Sequence, residues 1–73
     1  MGNLVQVAKV IYEVVAEFPD GGVPSGHVYA ALMTAGIELG MFEIAVSSLI
    51  EAKLLRREGH VLHALPIPNE VTA

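Results

Sequence analysis

The residues able to do chemistry in this 73-residue chain are few, and most stand close together near its end. The segment LLRREGHVLHAL, residues 54–65, holds Arg56 and Arg57, two of the four Lys and Arg side chains, together with His60 and His63. Arginine on an exposed hairpin can neutralise phosphate, so Arg56, Arg57 and His60 are candidate nucleic-acid contacts. The same charge has a plainer use, since basic side chains on an edge strand discourage pairing between sheets. Two arginines neutralise about two phosphates, which gives a log-log salt slope of only about −2 and a weak complex.

Other chemistry is sparse. His60 and His63, read as three apart on a strand, point to opposite faces and cannot share a metal. His27 stands alone at the start of a helix, and Asp20 has no second carboxylate placed for acid-base work. Gly21-Gly22-Val23-Pro24-Ser25-Gly26 is glycine-rich ahead of a helix but lacks the lysine and spacing of a phosphate loop. There is no cysteine, which removes disulfides and thiolate metal sites. The chain therefore reads as non-enzymatic, with no catalytic residue, cofactor or metal ligand assigned.

Composition adds a constraint. A domain of this length buries only about 60 % of its unfolded surface, yet 53 % of its residues are apolar and 16 % charged. A symmetric homo-oligomer is the simplest way to hide the excess. The formal charge of −4 is opposite in sign to that of most nucleic-acid binders. No segment approaches the roughly 20 apolar residues of a membrane span, and the start lacks a basic region followed by an apolar run. A soluble cytoplasmic protein is the expectation.

The elements that must carry these residues follow from periodicity. Asn3 is placed to cap a first helix, with Gln6 in the reciprocal position of a capping box. Leu4, Val7, Ala8, Ile11, Val15 and Phe18 form its core face, opposite Gln6, Lys9, Glu13 and Glu17. Val5 and Tyr12 flank that face on one side, Val10 and Val14 on the other, so the apolar arc covers roughly 220° where a surface helix needs little more than about 100°. Either the other helices wrap around this one or a second copy of the chain packs against it. Pro19-Asp20-Gly21-Gly22 stops the helix. Ser25 reads as the N-cap of a second helix over residues 26–34, buried through Val28, Tyr29, Leu32 and Met33, with Gly36 at its C-terminal stop. Residues 37–40 read as a connection and 41–53 as a third helix, with Phe42, Val46, Leu49 and Ala52 on one stripe and Ile44 and Ile50 outside it. A turn at Glu58-Gly59 pairs Arg57 with His60, Arg56 with Val61 and Leu55 with Leu62. The domain is placed at residues 1–65, and 66–73 reads as a loose tail.

Three helices and a β-hairpin, with Val23-Pro24-Ser25-Gly26-His27-Val28-Tyr29 opening the second helix, Gly36-Ile37 in the turn and Leu49-Ile50-Glu51-Ala52-Lys53-Leu54-Leu55-Arg56-Arg57 leading into the hairpin, resemble the winged helix-turn-helix superfamily. The resemblance implies an α+β domain of three helices with a C-terminal hairpin wing. That family commonly has glycine before the first wing strand, in a left-handed conformation. Lysine there costs roughly 1–2 kcal/mol, so Lys53 predicts a different helix ending. The third helix of the family usually enters the major groove, which here would offer Glu43, Ile44, Ala45, Ser47 and Ser48, none of them basic or an amide. Two functions are therefore expected in order: a homodimer or other protein-protein contact through the first helix and part of the third, with Val5, Val10, Tyr12, Val14, Ile44 and Ile50 as candidate interface, and then a DNA-binding regulator of modest affinity that uses the wing.

Overall fold

The computed structural model describes residues 4–66; Asn3 and the segment from Ile67 to Ala73, for which a cap and a loose tail were expected, lie outside the described residues. Six elements follow one another: α1 (Leu4–Ala16), β1 (Val23–Pro24), α2 (Ser25–Met33), α3 (Leu39–Glu51), β2 (Leu55–Glu58) and β3 (Val61–Ala64). The strands form one antiparallel sheet in the order β1-β3-β2. This is the α+β layout of three helices and a C-terminal hairpin that the sequence implies.

The core follows the helical stripes. Val7, Ile11 and Val15 of α1 meet Val28 and Leu32 of α2, Phe42, Ala45, Val46 and Leu49 of α3, and Val23, Leu55 and Leu62 of the strands in one buried cluster. Ile11, Val15, Val28, Ala45 and Leu62 have no exposed surface. Burial of each large aliphatic side chain among them contributes about 1.5–3 kcal/mol. Three side chains assigned to buried stripes lie elsewhere: Met33 is 54 % exposed at the end of α2, Phe18 is 38 % exposed beyond the end of α1, and Ala52 is exposed beyond α3. Ala45 takes the place on α3 that Ala52 was expected to fill.

Helix ends depart from the sequence reading in small, explicable ways. Ser25 is the first helical residue and not the cap; its N–H donates to the His60 carbonyl at 2.7 Å, which ties α2 to the hairpin tip. Leu39 and Gly40, read as connection, already belong to α3, whose N-cap Glu38 is extended and makes no side-chain cap bond. The carbonyl of Glu38 instead accepts from the Phe42 N–H at 3.0 Å. Without a capping side chain, nothing in the local sequence marks this start.

The hairpin turns one residue later than expected. Leu55 pairs with Ala64, Arg56 with His63, Arg57 with Leu62 and Glu58 with Val61, leaving Gly59 and His60 as the two-residue loop. Gly59 has φ +62. A left-handed first central residue is the requirement of a type II′ turn, which glycine meets without a side-chain clash. The two registers differ by two positions, so both keep Leu55 and Leu62 on the buried face. Hydrophobic pattern decides which face is buried, and the glycine decides the register.

At the end of α3, Lys53 does adopt the left-handed conformation, at φ +65, contrary to the expected avoidance. Its N–H donates to the Ile50 carbonyl at 3.0 Å and the Leu54 N–H to the Leu49 carbonyl at 2.9 Å. The same pair of bonds closes α2, from Gly36 to Met33 at 2.9 Å and from Ile37 to Leu32 at 3.4 Å. Both are Schellman closures, in which the following apolar residue folds back onto the helix. Burial of Leu55 and the sheet register fix where the chain must leave α3, and this outweighs the local cost at Lys53. Replacing Lys53 by Gly removes a strain of about 1–2 kcal/mol and adds about 0.5–1 kcal/mol of backbone entropy to lose on folding. Lys53→Gly is therefore expected to raise Tm by a few degrees in a thermal melt; an unchanged or lower Tm contradicts this account of the helix end.

Candidate interaction surface

α1 is bordered by a cleft on each flank. On one side Leu4, Val5, Ala8 and Tyr12 face Leu49 and Ala52 at the end of α3 and Leu54 beyond it, around an open cleft of about 550 Å³ with Ser48, Lys9 and Glu13 at its margin. Its wall is almost wholly apolar. Val5 is 77 % exposed, the most exposed of the large apolar side chains described. Tyr12 is half-buried, and its hydroxyl donates to the Leu65 carbonyl at 2.7 Å, while the Leu65 N–H donates to the Leu54 carbonyl at 2.9 Å. These two bonds clamp the outgoing chain to the edge of the cleft and hold the phenol ring in place before any partner arrives. On the other flank Val10 and Gln6 line a cleft of about 380 Å³ with Ile37, Glu38 and Met41.

The six interface candidates therefore separate. Val5 and Tyr12 share the larger cleft and Val10 lines the smaller. Val14 and Ile50 are half-buried and pack on the core, so Ile50, placed outside the stripe of α3 by its spacing, contributes mainly to stability. Ile44 is 56 % exposed on the outer side of α3, one turn before Ser48. Leu54 and Ala52 complete the cleft but were not among the candidates. No sequence signal sets them apart, because the cleft exists only once the Lys53 turn brings Leu54 back beside Leu49.

The outer side of α3 exposes Glu43, Ile44, Ser47, Ser48 and Glu51, whereas Ala45, grouped with a base-reading face in the sequence, is fully buried and cannot reach a base. On the hairpin, Arg56 and Arg57 are exposed, but Glu58 stands beside Arg56, with its carboxylate 3.1 Å from the guanidinium. The other carboxylate oxygen lies 3.3 Å from His63 Nε2, close but misaligned for a hydrogen bond. An exposed pair of this kind adds about 0–1 kcal/mol to stability, so its main consequence is for the field. Arg57 donates through Nε to the Gly59 carbonyl at 3.1 Å and lines a small cleft with Glu43 of α3. A carboxylate therefore stands beside Arg56, while Arg57 only shares a cleft with one. His60 sits in the turn and is exposed, and His63 is in β3, so the two do not share a strand as expected. Among the described residues no three His, Asp or Glu side chains converge as a metal-binding set, and no helix is long and apolar enough to cross a membrane.

No protein-family model, curated protein or solved structure matches the chain.

Proposed function

We propose that this chain is a member of the winged-helix superfamily that works by protein-protein contact, as a homodimer built on α1 and the end of α3. The observation that carries this reading is the cleft of Leu4, Val5, Ala8, Tyr12, Leu49, Ala52 and Leu54, with Val5 the most exposed large apolar side chain described. A contiguous apolar surface rimmed by polar residues is the mark of an interaction site on a small domain. It also answers the compositional problem, since a chain this short and this apolar gains stability by covering surface with a second copy.

DNA binding is the weaker reading. Its support is the exposure of Arg56 and Arg57 on the hairpin. Against it stand the acidic balance, the absence of any basic or amide side chain on the outer side of α3, and the carboxylate of Glu58 beside Arg56. With that neighbour, the wing offers close to one net phosphate contact, and log-log salt slopes are about −0.9 per contact.

Sedimentation equilibrium tests the dimer. Wild-type chain is expected to rise from the monomer mass towards twice that mass across the micromolar range, and Val5→Asp to remain at the monomer mass. Position 5 is exposed in the first turn of α1, where an acidic side chain favours the helix, so folding should change by less than about 0.5 kcal/mol. Monomeric wild-type chain contradicts the proposal. A DNA shift assay at low salt is expected to show no retardation at tens of micromolar; retardation that is lost on replacing both Arg56 and Arg57 by Ala reverses the ranking.

A further inference from the structure

The larger cleft also carries charge in a self-complementary pattern. We infer that this pattern specifies an antiparallel, two-fold pairing of α1 with α1 of a second copy, in which Lys9 of each chain meets Glu13 of the other. The inference deepens the dimer reading and rests on it.

Val5, Lys9, Tyr12, Glu13 and Ala16 lie on the outward side of α1 next to the cleft. At about 100° per residue they fall within an arc of roughly 100°, turned away from the buried side of Val7, Ile11 and Val15. Lys9 and Glu13 are exposed, and neither forms an ion pair among the described residues. Both border the cleft. A two-fold axis makes each contact occur twice, i on j and j on i, so a helix bearing one cation and one anion a turn apart can complement itself when antiparallel. A parallel pairing instead sets Lys9 near Lys9 and Glu13 near Glu13.

Centring the antiparallel pair between Val10 and Ile11 sets Val5 opposite the second copy's Ala16 and Lys9 opposite its Tyr12. The aliphatic stem of Lys9 then crosses a ring already fixed by its bond to Leu65, and the ammonium stands one position from the second copy's Glu13. Ala16 is small enough for the axes to approach to about 8–10 Å there. A leucine-sized side chain at that position would hold the helices apart.

Charge reversal tests this pairing by sedimentation. Lys9→Glu and Glu13→Lys are each expected to weaken the homodimer by at least about tenfold, because two attractive contacts become two repulsive ones. An equimolar mixture of the two variants, and the double variant carrying both changes, are each expected to recover the wild-type Kd within about threefold, since both restore opposite charges at each contact. Net charge makes the opposite forecast for one arm. Glu13→Lys takes the chain from −4 to −2 and, through reduced repulsion alone, would tighten the dimer. Both positions are exposed, so helical circular dichroism should be retained; if a reversal unfolds, Lys9→Gln and Glu13→Gln replace it, each expected to weaken the dimer by about threefold. A dimer indifferent to these changes, a tighter Glu13→Lys dimer, or a mixture no tighter than its components overturns the pairing while leaving the dimer standing. Monomeric wild-type chain overturns both.

Discussion

The packing of Val7, Ile11 and Val15 into the cluster formed by α2, α3 and the sheet is the contact on which the rest of this fold depends. Two of these three side chains have no exposed surface, and α1 packs against α2, α3 and β3 alike. Yet the apolar residues of α1 spread over a wider arc than α2, α3 and three short strands can cover. Packing against α3 and β3 satisfies the centre of the arc and leaves its edges as clefts, one beside Val10 and one beside Val5. A helix that must serve both as the beam of the core and as part of the outer surface is the physical origin of these two clefts.

The positive charge of the hairpin is offset locally. The hairpin holds two arginines, but Glu58 lies within 3.1 Å of one, and Glu43 shares a cleft with the other. Counterion release needs cations whose field reaches phosphate undiminished, and a neighbouring carboxylate removes much of that field at no cost to the fold. The side of α3 that would face a duplex carries Glu43 and Glu51 around Ser47. The hairpin's more evident work is mechanical: the His60 carbonyl holds the start of α2, and Leu55 and Leu62 close the floor of the core.

Much of this was legible in the sequence, and the failures share a cause. The buried faces of α1 and of the hairpin follow from periods of 3.6 and 2, which survive errors of register, as Leu55 and Leu62 show. Gly36 announced the end of α2 because left-handed backbone favours glycine. Lys53 occupies the equivalent position at the end of α3 against its own preference, and only the tertiary requirement that Leu55 enter the sheet explains it. The start of α3 at Leu39 carries no cap to read, and the turn at Gly59 and His60 depends on which turn position the glycine takes. The larger cleft lay furthest from view, since it joins Leu4 and Val5 to Ala52 and Leu54 across most of the chain through that lysine turn.

The central claim is that one flank of α1, with Ala52 and Leu54, is the surface that meets a second copy. Backbone amide spectra recorded from low micromolar to millimolar concentration test it most directly, because each residue reports its own change of surroundings. The account predicts concentration-dependent shifts at Val5, Ala8, Lys9, Tyr12, Ala16 and Ala52, with Arg56, Arg57 and His60 unmoved. Shifts confined to the hairpin or to the outer side of α3, or none at any concentration, would contradict it.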